Sequence, residues 1–379
     1  MVQMVVFARL AGPREAGLFA LAMTVAAFLS PFAEAGLGQA VIQAKDLQGR
    51  QVAVLGWLNF GIGAVILLIC GVAAPWLGAW YQSPEVAPLI VFIAVPLLFM
   101  PFAVQYGGLM IRNVRFDQAA RVELIASGLG FVVMLALAVR GYGAWAMAWS
   151  HVLKTLAACA GSWWYGRQHL HIPWGHPAPL RDALVLVRLG LFDLAARWTD
   201  GAVHYTDKLL VGKWLGTAAL GIYNQAFSLY LLPITKLSSI ITKVAFPVTA
   251  RLQDNSAAVQ AFFERASRQL MLVLLPVYGT MGLFAETIIV TLYGEQWLPA
   301  VPVLRILSVA GVVRTFVVLL PQVLRGLGRP QVYFFFLMAL LVGGNTVLVL
   351  ALTLDYSVNS AAWSRVVTSL VVELPLAYW

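Results

Sequence analysis

Six ionisable residues crowd one helix-length stretch, "LFDLAARWTDGAVHYTDK" (191–208): Asp193, Arg197, Asp200, His204, Asp207 and Lys208. On a helix, advancing 100° per residue, Asp193, Arg197, Asp200, His204 and Asp207 fall within an arc of about 80°, and Lys208 widens it slightly. Side chains of these types can hold an anion, carry a proton or coordinate a cation. They can also neutralise one another, because Asp193–Arg197 and Asp200–His204 are spaced four apart.

The rest of the chain makes that stripe unusual. Of 379 residues, 61% are hydrophobic and 11% charged, with a mean hydropathy of +0.84, against a charged fraction of roughly a quarter in soluble domains. Apolar runs of about 20 residues recur from end to end without the alternation of a transmembrane barrel. The fold class expected is all-α, a polytopic transmembrane bundle. Facing lipid, each charge of the stripe would cost about 2.5–3.5 kcal/mol. The stripe therefore faces protein or water, and its helix lines a polar interior.

Twelve segments are expected: a stub at 1–11, then 17–42, 52–80, 86–111, 119–139, 142–165, 183–211, 218–247, 269–292, 299–324, 331–353 and 357–378. Basic residues gather in alternate loops (Lys45 and Arg50; Arg112, Arg115 and Arg121; Arg167 and Arg181; Arg251, Arg265 and Arg268; Arg325 and Arg329). That asymmetry puts those loops and both ends of the chain in the cytoplasm, with the +9 net charge read as a topology signal and not as a nucleic-acid surface. Thirteen Trp and twelve Tyr fit interfacial anchoring, as in "PWLGAWY" (75–81) and "GSWWYG" (161–166). Cys70 and Cys159 lie inside apolar runs and are read as core residues rather than a disulfide.

The chain repeats internally. "LAGPREAGLFALA" (10–22) aligns with "LGTAALGIYNQA" (215–226) at an offset of 204, pairing Gly12 with Gly216, Gly17 with Gly221 and Phe19 with Tyr223. "GYGAWAMAWSHV" (141–152) aligns with "DYSVNSAAWSRV" (355–366) at an offset of 214, and the extra residues are assigned to a longer loop over 251–269. Two pseudo-symmetric six-helix lobes around a central cavity follow, 1–165 and 183–379, joined by a cytoplasmic linker at 166–182. Its three His are read as linker and not as a metal site. Repeated halves of one orientation are a transporter architecture with the substrate between them.

Further polar groups support a transport site. Pro31 precedes Glu34 and Pro233 precedes Lys236 at matching places in the repeats, where bent helices mark transport sites. Lys243 lies two turns beyond Lys236. Arg305 and Arg314 share one span but point to opposite faces, so at most one is deep. Asn59, Gln105 and Asn345 are read as interhelical hydrogen-bonding residues, and Glu123 and Glu286 as weak candidates near span ends. No phosphate-cradling Gly motif, zinc-type spacing or activated nucleophile is visible, so no cofactor and no enzymatic activity are expected.

The stretch "ARLAGPREAGLFALAMTVAAFLSPFAEAGLGQAVIQAKDL" (8–47), with "HYTDKLLVGKWLGTAALGIYNQAFSLYLLP" (204–233), "KVAFPVTARLQ" (243–253) and "YGEQWLPAVPVLRIL" (293–307), resembles the bacterial oligosaccharide flippases of the multidrug/oligosaccharidyl-lipid/polysaccharide exporter superfamily. The resemblance covers essentially the whole chain. It implies a fuller first helix and two further C-terminal helices, so that 1–379 reads as a natural truncation or a fragment. It implies an inner-membrane flippase for undecaprenyl-diphosphate-linked oligosaccharide, working beside a polysaccharide polymerase and chain-length machinery. Arg197, His204, Lys208, Lys236, Lys243 and Arg314 would contact the diphosphate or sugar, and Glu34, Asp193, Asp200 and Asp207 would couple an ion or pair within the cavity. His204 stands where such proteins usually carry a permanent cation, which makes charge there pH-dependent. A multidrug or cation antiporter and a peptidoglycan-precursor flippase are the alternatives. The short outward loops disfavour a membrane glycosyltransferase.

Overall fold

The computed structural model describes residues 2–34, 49–168, 180–253, 255–328 and 330–377, and every regular element among them is helical. In chain order these are α1 (Val2–Leu10), α2 (Pro13–Glu34), α3 (Gly49–Trp80), α4 (Val86–Ala94), α5 (Pro96–Arg112), α6 (Phe116–Val139) and α7 (Ala144–Gly166). Then follow α8 (Leu180–Leu252), α9 (Ser256–Leu283), α10 (Ala285–Tyr293), a 3-10 turn (Glu295–Trp297), α11 (Ala300–Thr315), α12 (Leu320–Gly326), α13 (Pro330–Leu354), α14 (Val358–Thr368), a π-helical turn (Ser369–Glu373) and α15 (Leu374–Ala377). Among the described residues five helices are long and apolar enough to cross a membrane, or seven if each of two bent pairs is one span.

The chain forms two compact units, Met1–Ala11 with Leu18–Tyr205, and Gly12–Gly17 with Thr206–Trp379. The boundary falls inside α8, and most of the 166–182 linker (169–179) lies outside the described residues.

The first unit is knit by small residues and sparse polar bonds, as expected where helices pack without a hydrophobic driving force. The Ser150 hydroxyl of α7 donates to Gly130 O of α6 at 2.7 Å, and the Gln3 side chain of α1 donates to Ser150 Oγ. Gln105, in the amide orientation that satisfies both of its ends, bridges α5 to Val52 O and Gly56 N of α3. Lys154 on α7 pairs with Glu123 on α6 at 2.8 Å. Cys70 and Cys159 are buried and free. Exposed Trp76 and Trp80 stack at 5.3 Å, and the Arg167 guanidinium lies 4.6 and 4.3 Å from the rings of exposed Trp163 and Trp164. That apolar-plus-polar pairing suits an interface belt.

Two sequence expectations are corrected. The segment 251–269 is not a longer loop: α9 begins at Ser256, with the Asn255 side chain accepting from Ala258 N at 3.0 Å as an N-cap. Its residues "SAAVQAFFERASRQ" are good helix formers, so the extra length in the second repeat adds helical turns. Asn345 bonds within its own helix, to Leu341 O at 2.7 Å, rather than across helices. The helical backbone of α8 is broken at Gly216, while Pro233 sits inside the helix. A proline removes one hydrogen bond and can stay helical, whereas φ 83° and ψ 175° at Gly216 cannot. That backbone region is essentially confined to glycine, and a Cβ at 216 would meet nothing within 4 Å, so substitution acts through strain alone. Gly216→Ala is expected to destabilise the protein by about 1–3 kcal/mol. Thermal unfolding of the reconstituted protein checks it, and an unchanged midpoint would count against the strained geometry.

Candidate functional site

The second unit brings five charged side chains together in its interior. Beyond Gly216, α8 presents Tyr223, Phe227 and Tyr230, four and three residues apart and so on one face; all three are buried. Their rings form a ladder, with centroids 5.6 Å apart for Tyr223–Phe227 and 5.3 Å for Phe227–Tyr230, continued by Tyr278 of α9 at 6.1 Å from Tyr230. The Tyr278 hydroxyl donates to Tyr230 O at 2.8 Å, fixing α9 against α8.

Four charged side chains stand along this ladder in two pairs. Asp207, before the break in α8, faces Arg365 of α14, with Oδ2 3.8 Å from Nη2. The Tyr223 hydroxyl donates to the same Oδ2 at 3.1 Å, and Lys208 N donates to Oδ1 at 2.8 Å. Arg314 of α11 faces Glu373, the last residue of the π-helical turn, with Nη1 3.7 Å from Oε1. Side-chain exposure is 5% at Asp207, 12% at Arg365, 20% at Arg314 and 5% at Glu373, which makes both pairs interior. Lys208 adds a third cation: its Nζ and the Arg365 guanidinium each lie 5.3 Å from the Phe227 ring centroid, within cation–π range. Arg314 and Arg365 are close enough to repel, and Tyr230 lies beside Arg314. The arrangement holds three basic against two acidic side chains.

Isolated charges at such depth cost several kcal/mol each, and mutual pairing repays this only with good geometry. Here the geometry is loose. Both pair distances exceed a hydrogen bond, and Arg365 Nη2 and Glu373 Oε2 have no hydrogen-bond partner. Groups held this way can re-pair with an incoming anion, for which a guanidinium offers forked donors.

Of the residues picked from the sequence, Asp207, Lys208 and Arg314 are gathered here. Asp200 and His204 are half-buried on α8 in the first unit. Lys236 is exposed on α8. Asp193, Arg197, Glu34 and Lys243 lie on helices, but their side chains fall outside the described residues. Arg305 makes an exposed pair with Glu286 at 3.6 Å, so Arg314 is the deep arginine of that span. Sequence reasoning missed Arg365 and Glu373, along with the three buried tyrosines. The signal existed for one of them: Arg365 follows the repeated Ala-Trp-Ser of 362–364, as His151 follows that of 148–150.

The repeat also shows what differs between units. At the offset of 204, Asp207 corresponds to Gln3, and at 214, Ser364 and Arg365 correspond to Ser150 and His151. Gln3 bonds to Ser150 in the first unit, whereas Asp207, its counterpart, pairs with Arg365, one residue beyond the counterpart of Ser150.

Comparison with known proteins places this architecture. The solved fold of a multidrug resistance MATE family transporter in its inward-facing conformation matches 100% of this chain and 93% of its own, with a TM-score of 0.77 at 16% identity. The lipid II flippase MurJ, in an inward closed conformation, matches 99% of this chain and 83% of its own, with a TM-score of 0.77 at 10% identity. In sequence, the chain is 30% identical over 304 residues to the teichuronic acid biosynthesis protein TuaB of Bacillus subtilis (strain 168), covering 79% of this chain and 62% of that protein. It is 24% identical over 372 residues to the lipopolysaccharide biosynthesis protein WzxC of Escherichia coli (strain K12), covering 94% and 74%. It is 26% identical to the succinoglycan biosynthesis transport protein ExoT of Rhizobium meliloti (strain 1021), covering 87% and 66%. The chain thus spans between about three-fifths and three-quarters of the length of these relatives. A polysaccharide biosynthesis protein model matches residues 6–302. This all-helical, multi-pass membrane chain belongs to the polysaccharide biosynthesis protein family.

Proposed function

We propose that the full-length protein is an alternating-access flippase that carries an undecaprenyl-diphosphate-linked oligosaccharide from the cytoplasmic to the periplasmic leaflet of the inner membrane. Family membership supports the substrate class, and the observation that carries the reading is the excess of half-buried cations, Lys208, Arg314 and Arg365, over the buried Asp207 and Glu373. A diphosphate entering a low-dielectric interior needs such compensation. A site for cationic drugs would carry the opposite imbalance. The carrier works by moving its lobes, 1–165 and 183–379 about the linker 166–182, with both ends of this chain cytoplasmic, and makes no covalent change in its cargo. Membrane potential favours outward movement of an anion by about 2.3 kcal/mol per charge per 100 mV. A polysaccharide polymerase and chain-length machinery receive the cargo outside.

The test is the leaflet distribution of undecaprenyl-diphosphate oligosaccharide in cells lacking the protein. Accumulation in the cytoplasmic leaflet, reversed by the full-length gene, is expected. A normal distribution together with new sensitivity to cationic dyes would replace the flippase by an efflux antiporter, and accumulation of peptidoglycan precursor instead would change the cargo.

A further inference from the structure

Glu373 has no place in the expected set of site residues, yet its setting is unusual in three respects. It is 5% exposed in an apolar membrane unit. It closes a π-helical turn, a local widening of the helix that recurs at functional sites. One of its oxygens, Oε2, has no hydrogen-bond partner, and the other faces Arg314 at 3.7 Å, beyond hydrogen-bond length. Arg365, two turns earlier on the same helical run, holds Asp207 just as loosely and leaves Nη2 without a hydrogen-bond partner. The two guanidinia are near enough to repel.

We propose that Glu373 is a proton-binding site tied to anion binding: an anionic group taken by Arg314 and Arg365 withdraws the counter-charge from Glu373, whose carboxylate then accepts one proton. This deepens the diphosphate reading above and rests on it. A phosphate oxygen offers each guanidinium a charge-assisted bond shorter than the present 3.7–3.8 Å pairs, so re-pairing favours the anion. Once Arg314 turns to the anion, Glu373 is a buried carboxylate without a cation, the form that burial penalises most. Taking a proton removes that penalty. By linkage the effect is reciprocal, and protonation of Glu373 frees Arg314 and tightens anion binding.

The surrounding groups agree. Arg314 faces Glu373 from α11, Tyr230 and Tyr278 stand by Arg314 from α8 and α9, and Arg365 with Asp207 and Tyr223 continues the chain of charge. α13, which also packs on the π turn, contributes no acidic or basic residue. Two carboxylates, each facing a guanidinium, do not make the many-oxygen shell that a hard metal cation requires, whereas a proton needs only one of them.

The experiment is calorimetric titration of the full-length protein in lipid nanodiscs with farnesyl diphosphate, in two buffers of different ionisation enthalpy. The wild type should take up about one proton per ligand, and affinity should rise about tenfold per pH unit of acidification where uptake is complete. Glu373→Gln should take up about one proton fewer per ligand than the wild type, with a correspondingly flatter pH dependence of affinity. Wild-type binding without uptake overturns the inference and leaves the diphosphate reading standing, as does uptake that is undiminished in E373Q. Failure of the wild type to bind farnesyl diphosphate overturns both. Absence of uptake in the wild type overturns the inference even if E373Q does not fold.

Discussion

Arg365→Met is expected to abolish export and to destabilise the protein by about 3–5 kcal/mol, while Asp207→Asn combined with Arg365→Met regains most of the stability and none of the export. The asymmetry follows from what each change leaves behind. Asp207 is 5% exposed, and without Arg365 its carboxylate keeps the Tyr223 hydroxyl and the Lys208 amide but loses the guanidinium that faces it. Neutralising both partners removes the pair's own charges, and uncharged replacements of buried pairs are often neutral or stabilising. Stability and transport therefore separate in the double variant. Thermal unfolding in nanodiscs and cell-surface polysaccharide levels are the two measurements. If the double variant exports normally, the pair is structural bracing and the cation excess is not used on cargo. If Arg365→Met alone is as stable as wild type, the pair contributes little to stability.

The second large effect is expected at the repeat-related glycines. Within the second unit, a Cβ on Gly17 would lie 1.7 Å from Thr217 O, and a Cβ on Gly221 would lie 2.0 Å from Pro13 O. Gly17 and Gly221 correspond at the 204-residue offset, as do Pro13 and Thr217, so each helix offers the other the same notch. The obstacle is backbone on both sides and cannot rotate away as a side chain would. Gly17→Ala and Gly221→Ala are each expected to cost about 3 kcal/mol or more, at the upper end of overpacking penalties. Gly61→Ala, where nothing lies within 4 Å, should be unchanged or up to about 1 kcal/mol more stable. Folded yield and melting temperature across the three variants decide it, and three equal melting points would refute the close crossing.

That crossing shows how much was legible beforehand. Gly17 and Gly221 were matched from the sequence as a repeat, but a repeat alone does not say that its two copies touch. The polytopic helical fold was equally readable, because apolar runs of bilayer length recur along the chain and composition alone excludes a soluble domain. Local chemistry at a helix start was misjudged at 251–269, where a polar, helix-forming segment was assigned to a loop for want of apolar residues. The repeat offset suggested an insertion but not its conformation.

The candidate site divides along the same line. Asp207 and Lys208 stood out because charges are rare in apolar helices, and Arg314 because it shares a span with Arg305. Periodicity put Arg305 and Arg314 on opposite faces and could not say which was inside; the exposed Glu286 partner and the buried Glu373 partner decided it. Arg365 and Glu373 are 158 and 166 residues from Asp207 along the chain, counting from their numbers, and no local pattern links them. The sequence by itself determined that this protein is a membrane-embedded helical repeat with a charged helix that must turn away from lipid, since hydrocarbon tolerates no other arrangement. Which acid meets which base, and which oxygen and nitrogen are left without a partner, only the tertiary structure decided, because those distances depend on how α8, α11 and α14 pack.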